Sequence, residues 1–241
     1  MRQIWTITKR ELNSFFDSLI AYIMMIAFLG FSGFFTWLYG GDIFFVGQAS
    51  LQTFFQIAFW TLFFFIPALT MRLFAEENRS GTIELLLTRP VTNWQVVFGK
   101  FLSTLILIGI ALALTLPYYI TVANLGNIDH GAVISGYIGL LLMSAAYISI
   151  GIFASSITNN QIVAFLIALF IGIFFHLICT VLAGSTGGVL SRFFNFLSMP
   201  NHFNSIARGV IDSRDLIYFL SIIFVGLIST EAVLAKRNVP Q

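Results

Sequence analysis

The sequence predicts an all-α polytopic membrane protein with six transmembrane helices. Three observations lead there. Apolar runs of about twenty residues, long enough for a hydrocarbon core of about 30 Å, recur six times along the chain. Only 9% of residues are charged, against roughly 25% in soluble domains. The Lys and Arg residues, finally, gather in alternate connections between the runs. A mean hydropathy of +0.93 and 28 phenylalanines among 241 residues agree with that class. The single cysteine, Cys179, lies inside an apolar run, so no disulfide framework or Cys-based metal site is expected.

Residues 1–17 open the chain as an amphipathic helix. At about 100° per residue, Ile4, Trp5, Thr8, Leu12, Phe15 and Phe16 share one arc, while Arg2, Lys9, Arg10, Asn13 and Asp17 gather opposite. Ile7 and Glu11 break the pattern. Such a helix is expected to lie in the membrane interface. Lys9, Arg10, Glu11 and Asp17 interrupt the region where a cleavable signal would begin, so the first apolar run is expected to stay as a span. The spans fall near 18–39, 51–72, 98–122, 133–156, 161–183 and 214–235, with kinks expected at Pro67 and Pro117.

Glu76–Pro90, EENRSGTIELLLTRP, is the longest charged interruption, a knuckle between the second and third spans. Gly81 ends the preceding helix, and Ile83, Leu86 and Leu87 recur at i, i+3, i+4 as a short amphipathic helix that Pro90 stops. Thr92 and Gln95 then have the spacing of a capping box for the third span. Three apolar residues on one face of an exposed helix need a partner. The short turn Ser155–Gln161 repeats the capping-box spacing at Thr158 and Gln161, which puts a new helix N-terminus near Asn159.

Nine of the twelve basic residues, Arg2, Lys9, Arg10, Arg72, Arg79, Arg89, Lys100, Lys236 and Arg237, fall on one side of a six-span chain. By the positive-inside rule both termini and the 76–97 segment are cytoplasmic. The formal charge of +2 follows this topology and implies no nucleic-acid partner. The remaining Arg192, Arg208 and Arg214 belong to the outer segment 184–213, too apolar for a solvated loop and too broken for a span. It reads as short re-entrant or interfacial helices. Arg208 and Asp212 can pair at i, i+4, and Asp212 or Ser213 can cap the last span.

Catalytic signatures are missing: the sequence has no GxxxxGK[ST], HExxH or GxSxG motif. His176 is the one ionisable residue well inside a span, a functional candidate by default and otherwise a structural hydrogen-bonding residue. His130 and His202 have no ligand set at metal spacing. Glu231 is within snorkelling reach of the end marked by Lys236 and Arg237. With no chain of buried acids and no internal repeat, an ion-driven transporter is disfavoured.

Glu76–Glu77, Gly81–Thr82–Ile83–Glu84–Leu85–Leu86 and Pro90–Val91 together resemble the cytoplasmic signature of ABC-2-type permeases. These are membrane subunits of ATP-binding-cassette exporters whose ATPase is often a separate chain. In that resemblance, residues 1–17 look like the elbow helix, 76–97 like the coupling segment, and the Ser155–Gln161 turn like the second cytoplasmic contact. Segment 184–213 looks like the outer re-entrant helices, so that 1–241 forms one transmembrane domain. His202–Phe203, Arg208–Gly209–Val210–Ile211–Asp212 and Arg214–Asp215 look most like the gliding-motility branch, with the nitrous-oxide (copper-site) maturation branch next.

The resemblance implies a non-catalytic subunit of the bacterial inner membrane that binds no cofactor itself, ATP and Mg²⁺ being held by a cytoplasmic ABC ATPase. A second permease copy or related permease, a periplasmic or auxiliary membrane subunit, and membrane lipid are the further partners it implies. Glu76, Glu77, Gly81, Thr82, Ile83, Glu84, Leu86, Leu87, Asn159 and Asn160 would meet the ATPase, with the leucines as apolar anchors and the glutamates setting register. Phe193, Phe194, His202, Phe203, Arg208 and Asp212 would form the outer gate. The competing reading is a membrane anchor or mechanical transmitter, driven by an ATPase without translocation, whose output surface is 184–213. An intramembrane enzyme lacks an acid–base pair or a ligand set.

Overall fold

The computed structural model describes residues 2–38, 49–81, 91–210 and 212–237, and all regular structure among them is helical. Helix α1 spans Arg2–Asp17 and α2 Leu19–Trp37. The second span is built from α3, Gln52–Thr70, and α4, Arg72–Ser80. The third joins α5, Asn93–Ala113, to α6, Leu116–Leu125. Helix α7 is His130–Ser156. The fifth span comprises α8, Gln161–Ile173, a π-helical turn over Phe174–Ile178, and α9, Cys179–Ser185. Helices α10, Gly188–Leu197, and α11, Met199–Ala207, precede the last span, α12, Ser213–Arg237. Six helical stretches are long and apolar enough to cross a membrane, each overlapping a span read from the sequence.

Local chemistry explains the interruptions. The third span does not kink at Pro117 but breaks before it, and Pro117 opens α6 in the first turn, where its missing N–H is tolerated. Thr115 covers the break by donating to the Leu112 carbonyl at 2.6 Å and sharing a hydrogen bond with the Tyr137 hydroxyl at 2.9 Å. The predicted capping box at Thr92 forms in both directions: Gln95 N donates to Thr92 Oγ1 and Thr92 N to Gln95 Oε1. At the other hairpin the N-cap is Asn160, whose Oδ1 accepts from Ile162 N at 2.9 Å, while Thr158 Oγ1 accepts from Asn160 N. The Thr158–Gln161 box read from the sequence is thereby replaced by an Asx cap two residues later. An asparagine directly before the helix needs no Gln partner.

Helix α7 is the central pillar, packed against α3, α4, α5, α8, α11 and α12. Most of it is buried, whereas the first, fifth and last spans show most of their surface. Small residues permit close approach, as in membrane bundles generally. A Cβ at Gly151 would fall on the Thr70 hydroxyl of α3. Gly151→Val is therefore expected to lower the melting temperature in detergent, with overpacking costing about 1–3 kcal/mol. Adding Thr70→Ala to that variant should recover part of the loss.

Candidate functional site at the knuckle end of the bundle

The connection 82–90, which carries Thr82, Ile83, Glu84, Leu86 and Leu87, lies outside the described residues. What leads into it is well defined. Helix α3 stops at Thr70 and the chain restarts as α4 one residue later, exposing backbone groups at the junction. Ser155 of α7 fills that gap. Its hydroxyl donates to the Met71 carbonyl at 2.8 Å and accepts from Phe74 N and Ala75 N, each at 3.0 Å. One turn further on, Asn78 Nδ2 donates to the Thr158 carbonyl at 3.1 Å and to the Ser156 carbonyl at 3.4 Å. Helix α4, which carries Glu76–Ser80, is thus stitched to the Ser155–Gln161 turn. Gly81 ends α4 in the left-handed region at φ +70°, the role its lack of a Cβ predicts.

Helix α1 docks on the same end. The two residues that broke its amphipathic pattern, Ile7 and Glu11, turn out to face the bundle together with Thr8 and Phe15. Ile7 packs where Gly99 of α5 leaves no Cβ, and Thr8 Oγ1 donates to the Gly99 carbonyl at 3.2 Å. Glu11 meets Lys100, whose side chain is 1% exposed. The Lys100 ammonium lies 2.7 Å from Glu77 Oε1 and 3.4 Å from Glu11 Oε2, with its nitrogen 5.1 Å from the centre of the Phe74 ring. Burial raises the Glu11 carboxyl, but Lys100 and Arg10 together outweigh it and hold the group below its ordinary value. Arg72 closes the far side of α1, its guanidinium 5.0 Å from the centre of the Phe15 ring and donating to Ser18 Oγ at 3.2 Å.

Lys100 thus joins α1, α4 and α5 at one point. In the sequence it registered only as a topology marker; its place two turns after the Thr92 cap, amid apolar residues, was the available signal. Of the residues read as an ATPase contact, Glu76, Gly81, Asn159 and Asn160 are exposed, Asn160 with its Oδ1 in the cap of α8, and Glu77 faces Lys100.

At the opposite end of the bundle the predicted outer residues divide. Phe193 and Phe194 lie together on α10, a helix with no buried residue. Phe203 is fully buried and stacked on Phe59 at 4.6 Å. His202 is buried too, its Nδ1 2.7 Å from Asp215 Oδ1, its Nε2 2.8 Å from the Phe196 carbonyl oxygen, and its ring stacked on Tyr218. Arg208 and Asp212 do not form the anticipated i, i+4 pair. Helix α11 ends at Ala207, and Asp212 caps α12 by accepting from Arg214 N at 3.1 Å.

His176 has the neighbouring-helix partner that a structural role calls for. Its Nδ1 is 2.7 Å from the Tyr147 hydroxyl, and its ring sits among Phe59, Trp60 and Phe63 at 4.3–4.5 Å between centroids. Tyr147→Phe leaves one buried nitrogen without its hydrogen bond and is expected to cost about 1–3 kcal/mol. The double variant with His176→Phe should lose less than the two single changes combined, a coupling that a double-mutant cycle measures.

No curated protein matches the chain. The family model described as ABC-2 family transporter protein matches residues 38–231, from the end of the first span to the last turns of α12. That family provides membrane subunits that work with an ABC ATPase. The six apolar spans and this match, covering most of the sequence, place the chain in the ABC-2 transporter family as the permease subunit of an ABC transporter.

Proposed function

We propose that a separate ATPase grips this permease at the 82–90 connection and at the Asn159–Asn160 turn, and that the bundle end built around Lys100 carries the movement into the membrane. The observation supporting this reading is the joint at α4. A push on the residues after Gly81 reaches α7 through Ser155 and Asn78, and reaches α1 and α5 through Lys100. Four elements then respond as one lever, which is what an ATP-driven closure beneath them requires. On this reading the knuckle end and both termini are cytoplasmic, the protein resides in the bacterial inner membrane, and a second permease completes the pathway.

The branch we propose is the gliding-motility one, on the sequence stretch from His202 to Asp215. A transmitter that moves an envelope partner without translocating cargo is the second reading. It is favoured by α10, which leaves Val189, Leu190, Phe193 and Phe196 more than half exposed.

Affinity purification in mild detergent, with identification of co-purifying chains and an ATPase assay, tests the proposal. A cassette ATPase whose hydrolysis depends on this subunit is the expected result. Recovery of the protein alone, without nucleotide-dependent activity, would overturn it.

A further inference from the structure

A polar pocket of about 130 Å³ opens at the end of the bundle away from the knuckle. It is lined by Gln52, Phe55 and Gln56 of α3 and by Asn204, Ala207 and Arg208 at the end of α11. Gln56 Nε2 donates to Asn204 Oδ1 at 2.7 Å. Two amides joined in this way leave one carbonyl oxygen and one NH₂ group unspent, whichever way each is turned. Beside them stands the exposed Arg208 guanidinium, which has no ion-pair partner among the described residues. No acid among the described residues lines the pocket, and Asp212 Oδ1 is occupied in capping α12. The unspent groups are mostly donors and carry net positive charge, the arrangement that recognises an anionic oxygen group.

The surface below the pocket is of a different kind. Gln52, Gln56, Trp60 and Phe64 recur at i, i+4, i+8 and i+12 along α3, and all four are exposed, Trp60 by 42% and Phe64 by 48%. One face of a single helix therefore passes from amides and a guanidinium to broad aromatic surface. We infer that this face binds one anionic phospholipid, its phosphate at Arg208 and the free amide groups and its acyl chain along Trp60 and Phe64. A second copy of the chain fits less well. It would have to present a carboxylate to Arg208, and a two-fold contact centred on the pocket would set Arg208 against Arg208. The site is independent of how the ATPase attaches.

The test reconstitutes the full chain in nanodiscs of phosphatidylcholine containing a minority of phosphatidylglycerol and measures, by mass spectrometry, the lipid retained after extraction. The wild type is expected to enrich phosphatidylglycerol. Arg208→Gln should reduce that enrichment about tenfold, the scale of one lost charge-assisted contact, and Asn204→Ala should reduce it less. Trp60→Ala should weaken retention of both lipids alike. Unchanged enrichment in Arg208→Gln and Asn204→Ala would overturn the inference. So would competition by soluble glycerol 3-phosphate as effective as that of the lipid, which would make the site a phosphate pocket without a chain groove. A change of oligomeric state in Arg208→Gln with enrichment intact would also overturn it, giving the surface to a second copy.

Discussion

Lys100→Ala is expected to cost about 3 kcal/mol or more, because removing the buried cation strands Glu77 and leaves Glu11 with only the exposed Arg10. Glu11 and Glu77 keep 13% and 18% of their side-chain surface exposed. That residual hydration puts the loss toward the lower end of the usual 3–5 kcal/mol range. Thermal unfolding in detergent measures it. Adding Glu11→Gln and Glu77→Gln to the Lys100→Ala chain should restore part of the stability, since neutral amides need no counter-charge. If the triple variant is as unstable as Lys100→Ala, the damage comes from lost packing against Phe74 and not from stranded charge.

The same cluster sets an acid limit. Glu11 is held below its ordinary value of 4.5, so its contribution is fully present above that pH and is lost as pH falls through the lower folded value. The melting temperature of the wild type should therefore fall more steeply below about pH 4.5 than that of Glu11→Gln.

Leu86→Asp with Leu87→Asp carries the second large effect, on assembly and not on folding. Apolar anchors at the centre of an interface are worth about 2 kcal/mol or more apiece. Their joint replacement by charge should lower affinity for the ATPase by at least about a hundredfold, which removes it from the purified complex. Spans and melting temperature should stay close to the wild type. Normal recovery of the ATPase with this double variant would show that the leucines serve something else.

How much of this was legible in the sequence depended on the range of the interaction. Spans follow from runs of apolar residues, and the Thr92–Gln95 cap and the Gly81 helix end from local backbone chemistry, so all of these could be read along the chain. Contacts between distant segments could not. Ile7 and Glu11 were exceptions to a helical pattern until α5 supplied Gly99 and Lys100 as the surfaces they face. Ser155 looked like turn composition, yet its hydroxyl serves backbone groups 80 to 84 residues away. Phe203 stands with Phe193 and Phe194 in the outer gate read from the sequence because period and composition do not distinguish lipid contact from a stacked core pair. The π turn that carries His176 has no marker in the sequence, and the partners of that side chain lie on the distant α3 and α7.

The proposal that one ATPase grips both the 82–90 connection and the Asn159–Asn160 turn is tested most directly by cross-linking. Cys179 is buried and is the only cysteine, so Cys179→Ala gives a clean background. Ile83→Cys and Asn159→Cys, introduced singly and treated with a short bifunctional reagent in native membranes, should each capture the same ATPase chain. Capture from position 159 but not from 83, or labelling of either position only from the outside of the cell, would contradict it.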